Sequence, residues 1–230
     1  TDTTAPAEAA PADAPAADAP ATEAPAEAAP ATDAGAAAGT MPALPPGPAP
    51  REGIDYEVLA SPQPTFTQGA GIEVAEVFSY TCIHCANLQP MINAWKPTLP
   101  SDVRFVYVPG AFGGPSDNFA RGFFAAETMG LLDKTHDGVF KAFFVERKFQ
   151  TGSEDEIADW YAGYGADREA FLSTMRSFAV TGKLNRARQF ALRTGVNSTP
   201  TMIIAGKYRA IATADRGMDG LLATVDWLVM

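Results

Sequence analysis

Cys82 and Cys85 are the only two cysteines among 230 residues, and they stand two residues apart in the stretch YTCIHCAN. Such a pair supports three kinds of chemistry. A zinc site needs four ligands, usually Cys or His. Besides the thiols the chain offers only His84 and His136, and His84, lying between the cysteines, is poorly placed to ligate alongside both. A static disulfide would close a loop of only about four residues, for which the gain in chain entropy is smallest. The third possibility is thiol redox exchange. The pair follows directly on a strand pattern and opens a helical one. That puts Cys82 at a helix N-terminus, where unpaired N–H groups and a partial positive charge favour a thiolate. On this reading Cys82 is the exposed attacking thiol, and Cys85, one turn further in, is the buried resolving thiol.

Two neighbours sharpen the redox reading. His84 is able to stabilise the Cys82 thiolate; the alternative is a surface histidine without a role. His136 has no such context and is expected to be solvated. Glu76 lies in the strand pattern IEVAEVFSY, in alternation with Val74 and Phe78, and so points where apolar side chains point. A carboxyl there is costly when charged and should have a raised pKa. It would serve as a proton acceptor beneath Cys85, which must lose its proton when the disulfide forms; the alternative is a strand-edge acid reaching solvent. A third feature is Pro200 in GVNSTPTMII, just ahead of a strongly β-type run.

The elements that must hold these residues are legible as patterns. Residues 72–80 are apolar on both faces and rich in β-branched and aromatic side chains, which predicts a central strand. After Cys85, Leu88, Met91, Ile92 and Trp95 fall at helical spacing, with Pro90 expected to kink the helix and Pro97 and Pro100 to end it. Residues 103–108, VRFVYV, predict a second strand. From 116 to about 193 the period changes to 3.6, predicting four or five helices, with Ser153 and Glu156 in a capping-box pattern. Phe119, Phe123, Phe124, Phe140, Phe143 and Phe144 read as a helical core, a cofactor box being the sharper alternative. Residues 201–204 and 208–210 flank Ala205-Gly206-Lys207 as a hairpin. A last helix closes the chain, with Leu221, Leu222, Val225 and Leu228 on its buried face. The predicted fold class is α/β, a mixed sheet with helices packed on it and a helical insertion.

Residues 1–50 differ in kind. They form a degenerate Ala-Pro-Ala-acid repeat holding eleven of the 19 prolines, and no large apolar residue precedes Met41. Such a segment cannot bury enough surface to offset its ordering entropy and is expected to be a disordered, partly polyproline-II tether. Its seven acids, unaccompanied by Lys or Arg, account for most of the net charge of −10 and leave −3 for residues 51–230. That balance argues against nucleic-acid binding. No run of about eighteen apolar residues is present to form a transmembrane helix. The chain reads as a processed form from which an export signal has been removed, with the tether spacing it from a membrane anchor or cell wall.

With Glu76 six residues before Cys82, the phrase VFSYTCIHC, a helical block inserted mid-fold and GVNSTPTMIIAGKY near the end, the chain from about Gly53 resembles the DsbA family of thioredoxin-fold thiol oxidases. The resemblance implies a thioredoxin-like domain made of residues 51–115 and 187–230, interrupted by an inserted helical domain, residues 116–186. It implies Cys82 as nucleophile, Cys85 as resolving thiol, His84 as thiolate stabiliser and Glu76 as buried proton relay. Thr199 and Pro200 would form a cis-proline loop that, with Ile83, meets an extended substrate. Implied partners are reduced exported proteins and a quinone-linked membrane oxidase of the DsbB type. No cofactor or metal is implied, and a periplasmic monomer is expected. Ile83 stands where the best-known members have Pro; Thr199 stands where they often have Val, and a Thr there resembles the isomerase relatives. Both adjoin the sulfurs, so a weaker oxidant than the strongest members is expected.

Overall fold

Residues 72–78 carry six consecutive buried side chains, from Glu73 to Phe78, and form strand β2 (Ile72–Phe78) in the computed structural model, which describes residue 45 and residues 47–230. The tether expected over residues 1–50 lies largely outside the described residues. The backbone N–H and C=O groups of so buried a strand need hydrogen-bond partners on both edges. Strand β3 (Val103–Pro109) pairs with β2 in parallel on one side, and β4 (Thr201–Ile204) pairs antiparallel on the other. Strand β5 (Tyr208–Ala210) continues from β4, and β1 (Tyr56–Val58) closes the edge, giving the order β1-β5-β4-β2-β3. The sequence reading missed β1. It has three residues with mostly exposed side chains, so no alternation marks it, and only pairing with β5 makes it a strand.

Helix α1 (Ile83–Trp95) covers one face of the sheet and runs unbroken through Pro90. Leu88, Ile92 and Trp95 pack there with Val74, Met202 and Ile204 and with Leu221, Leu222 and Val225 of the last helix, α7 (Gly217–Leu228). Trp95 Nε1 donates to Asp226 Oδ1 at 2.8 Å and ties the two helices together. Leu228, expected on the same buried face, is only partly covered.

Five helices follow β3: α2 (Pro115–Thr128), α3 (Leu132–Phe144), α4 (Glu154–Ala162), α5 (Arg168–Met175) and α6 (Phe178–Arg193). Ser153 caps α4, accepting from the Glu156 N–H, as its capping pattern predicts. Phe119, Phe123, Phe124 and Phe140 are buried in the core these helices share with Ala75, Val77 and Phe78 of β2, while Phe143 and Phe144 pack at its margin. The boundary expected between residues 186 and 187 falls inside α6, one continuous helix whose two ends bury Val180 and Phe190 in that same core.

The β4–β5 hairpin turns on Ala205 and Gly206, with φ of 53° and 63°, the pair of left-handed conformations that a type I′ turn requires. A Cβ on Gly206 would lie 1.9 Å from the Gln63 carbonyl oxygen. Gly206→Ala should therefore destabilise by more than about 1 kcal/mol. In a domain of this size that lowers the melting temperature by roughly 2–4 °C per kcal/mol, measurable by thermal unfolding.

Candidate active site

Cys82 is the N-cap of α1: its backbone is extended (φ −100°, ψ 116°) and its sulfur accepts the Cys85 N–H at 3.4 Å. Side-chain acceptance at this position satisfies one of the orphan N–H groups of the first turn. On its other side the Cys82 thiol donates to the Thr199 carbonyl oxygen at 3.3 Å. The Thr199–Pro200 peptide is cis. The loop is held by Thr201 Oγ1, which donates to the Ser198 carbonyl at 2.8 Å. Two segments more than a hundred residues apart thus meet at one sulfur.

The two thiols have opposite electrostatics. Cys82 is half-buried, and its pKa is lowered from 9.0 to about 5. The neighbouring Cys85 thiol contributes most to that lowering. The Thr199 side chain and the main-chain N–H groups of Cys85 and His84 add to it, and partial desolvation opposes it. Cys85 is fully buried; burial first, then the Cys82 sulfur and the Glu76 charge, push its thiol far above the ordinary range. Both cysteines are free thiols in this structure.

His84 is exposed, and it is its main-chain N–H that favours the Cys82 thiolate. His84 lines a cavity of about 400 Å³ with Ser198, Thr199, Pro200, Ile211 and Met218. Ile83, 46 % exposed, lines a second cavity of about 370 Å³ between α1 and α3. The two residues that follow Cys82 thus each line a different hollow.

Beneath it is Glu76, 1 % exposed, its Oε2 without a hydrogen-bond partner among the described residues. Its pKa is raised from 4.5 to about 8, by burial first and by the Cys82 charge second, with Lys96 opposing. The contrast with Glu73, three residues earlier and as deeply buried, is instructive. Glu73 accepts from the Phe66 and Thr67 N–H groups at 2.6 and 2.8 Å and from the Thr67 hydroxyl at 2.6 Å, and it pairs with Arg104 at 2.9 Å. Glu73 is fully partnered; Glu76 is left free to change its proton.

His136 is not solvated. It is buried in α3, its Nδ1 bonded to Tyr80 Oη at 2.7 Å, its ring among Phe78, Tyr107, Phe123 and Phe140. Burial lowers its pKa to about 3, so it is neutral. The signal was present in the helical period, since Val139 and Phe140 follow at i+3 and i+4 and share its face. Sequence reasoning also passed over Gln89 and Tyr107, whose hydrogen bond at 2.8 Å joins α1 to β3. Nothing in the local sequence marks that pair.

No group of three or more His, Cys, Asp or Glu able to hold a metal occurs among the described residues. A dithiol at a helix N-terminus, against a cis-proline loop on a thioredoxin-like mixed sheet, defines a thiol:disulfide oxidoreductase. Residues 73–223 match the DSBA-like thioredoxin domain. The thiol:disulfide interchange protein DsbA of Pseudomonas aeruginosa is 39% identical over 177 residues, 77% of this chain and 83% of that protein. The protein of the same name from Pseudomonas syringae pv. tomato is 40% identical over 177 residues, covering 77% and 82%. The crystal structure of P. aeruginosa DsbA superposes with a TM-score of 0.72 at 38% identity, over 78% of this chain and 92% of that one. That of the oxidoreductase DsbA from Xylella fastidiosa gives 0.74 at 34%, over 78% and 96%. The chain belongs to the DsbA-like thioredoxin family.

The folded-state pKa of Cys82 lies below that of an unfolded thiol, about 8.5. Its ionisation therefore stabilises the reduced protein fully above that value, and the stabilisation is lost as pH falls through about 5. Iodoacetamide should alkylate the reduced protein at Cys82 with a rate that halves near pH 5, leaving Cys85 unmodified. A midpoint near 8.5 would show that the fold does nothing for this thiolate.

Proposed function

We propose that this protein introduces disulfide bonds into exported polypeptides through a Cys82–Cys85 disulfide. The observation that carries this reading is the asymmetry of the two thiols: Cys82 held as a thiolate near neutral pH, Cys85 held as a thiol. A stabilised thiolate is present only in the reduced protein, so reduction is favoured and the disulfide is a strong oxidant of other thiols.

The exchange runs in two steps. A substrate thiolate attacks Cys82 Sγ; the Cys82–Cys85 bond breaks and Cys85 departs with the electron pair, taking a proton from Glu76. A second substrate thiolate then attacks the substrate sulfur of the mixed disulfide, forming the substrate disulfide and releasing Cys82 as its thiolate. Cys82 is the nucleophile of the reverse reaction, because it is the accessible sulfur. Its main-chain donors, with His84 on the rim, stabilise the leaving charge. Thr199 and Pro200 on one side and Ile83 on the other receive the substrate backbone.

Two electrons remain on the protein after each turnover, and a DsbB-type quinone-linked membrane oxidase restores the disulfide. The site of action is the periplasm, with residues 1–50 as a tether to the membrane. No helix among the described residues is long and apolar enough to cross a membrane. The working unit is a monomer of two domains, residues 51–115 with 187–230 carrying the dithiol and residues 116–186 inserted. Because α6 spans their border, the two should move as one body.

Equilibration with glutathione decides the direction of function. A potential well above that of thioredoxin, about −270 mV, is expected, together with disulfide formation in a reduced, unfolded substrate. A potential at or below thioredoxin's would make the protein a reductase, and an isomerase would reshuffle wrong disulfides faster than it forms new ones. Cys85→Ala should accumulate mixed disulfides on Cys82, and Cys82→Ala should not. Glu76→Gln keeps the shape but carries no proton; it should slow transfer about tenfold or more while leaving the oxidised form equally or more stable to urea. Lost stability with an unchanged rate would reduce Glu76 to a structural part.

A further inference from the structure

Glu76 must exchange a proton at every turnover, yet its side chain is 1 % exposed. The proton has to travel through the protein. Glu76 and Tyr107 are directly paired in the parallel β2–β3 ladder and so stand on the same face of the sheet. That face is the one covered by α1, because Gln89 of α1 donates to Tyr107 Oη at 2.8 Å. The same Gln89 Nε2 donates to Asp137 Oδ1 of α3 at 2.9 Å, and Asn93 Nδ2 donates to Asp137 Oδ2 at 2.7 Å. Asp137 and Asn93 are exposed and, with Gln89, line the cavity of about 370 Å³ between α1 and α3. One amide nitrogen thus joins the phenol paired in the ladder with the buried acid to a carboxylate at the solvent.

We propose that Tyr107 and Asp137, held together by Gln89, are the route by which Glu76 exchanges its proton with solvent. The proposal rests on the reading of Glu76 as proton donor to Cys85. As Cys85 leaves the disulfide it takes the carboxyl proton of Glu76. The carboxylate, whose Oε2 has no hydrogen-bond partner among the described residues, regains one from the Tyr107 hydroxyl through an intervening water, and the hydroxyl in the same passage accepts one from the water side at Asp137. The net transfer is one proton from solvent to Cys85, with no charge left on the phenol. Burial, aided by the Glu76 and Asp137 carboxylates and partly offset by the Gln89 hydrogen bond, pushes the Tyr107 phenol above its ordinary range, which disfavours an ionised intermediate.

The other titratable groups facing this seam are few. From α1 and its two caps come Cys85, Cys82 and Lys96, the last with its Nζ 5.2 Å from the Tyr107 ring centroid. From α3 come His136, its ring 4.1 Å from that of Tyr107, and Lys141 on the cavity wall. His136 is kept neutral with Nδ1 committed to Tyr80. The residue of β4 paired with Glu76 is Met202, which does not titrate. Lys96 is therefore the competing route.

Tyr107→Phe removes only the hydroxyl and keeps the ring under Lys96 and His136. Disulfide transfer to a peptide dithiol should fall about tenfold, the glutathione redox equilibrium should not move, and added imidazole or formate should restore most of the rate. Asp137→Asn should show a smaller, likewise rescued, loss. A structural role would shift the equilibrium with the rate and resist rescue, and that result would overturn the route. So would wild-type rates in Tyr107→Phe, or an equal loss in Lys96→Met. Glu76→Gln, measured alongside, separates the two levels. If it is slow while Tyr107→Phe is not, the route alone fails; if it transfers at full speed, the assignment of Glu76 fails and the route with it.

Discussion

A sulfur anion has to be stabilised next to a sulfur that must not ionise, and most of the fold around the site answers to that constraint. Cys82 meets it by standing at the N-cap of α1, where the first-turn N–H groups have no carbonyl partners. Cys85 meets the opposite requirement one turn later, inside the core. The short separation of the two along one helix is therefore also a steep change of medium. It depends on α1 being pinned: at its far end by Trp95 to Asp226 of α7, and in its middle by Gln89 to Tyr107 and Asp137. A helix free to shift along the sheet would expose Cys85 or bury Cys82, and the asymmetry would fade.

The second consequence concerns buried charge. Taking an ion out of water costs several kcal/mol even after the protein relaxes. The structure spends that cost unequally on the two carboxyls of β2. Glu73 has three N–H or O–H donors and an arginine, and works as a clamp between β2, β3 and the segment at residues 66–67. Glu76 is left with an unpartnered oxygen and a pKa of about 8, which puts its proton at the disposal of chemistry near neutral pH. The difference lies in what surrounds each residue, since both are glutamates buried in one strand.

The helical insertion carries more than a lid. Its α3 supplies His136 to Tyr80, two residues ahead of Cys82, and Asp137 to Gln89, four residues beyond Cys85. The insertion thereby grips the active-site helix from both ends of its first turns. The aromatic core behind it, with the Phe78 ring centroid 5.0–6.0 Å from those of Tyr80, Phe123, His136 and Phe140, gives that grip a close-packed backing.

Much of this was written in local sequence. The apolar patterns located β2, β3 and the hairpin to within a residue or two and the helical block as a whole, though not the ends of its separate helices, because burial on one face imposes spacing on the chain regardless of what the partner is. The Cys-x-x-Cys pair after a buried strand pointed to thiol exchange, and Glu76, alternating with Val74 and Phe78, pointed to a perturbed carboxyl, because both follow from the type of residue and the element it sits on. What only the tertiary structure decided is which distant segments meet. Strand β1 exists because β5 offers it an edge; His136 is buried because α3 packs against α1 and α2 and lays its ring on Phe78 and Tyr107; the Thr199 carbonyl reaches Cys82 across 117 residues of chain. Short-range patterns reflect the environment a residue requires, whereas a contact between remote segments depends on the packing of whole elements, and no local spacing encodes it.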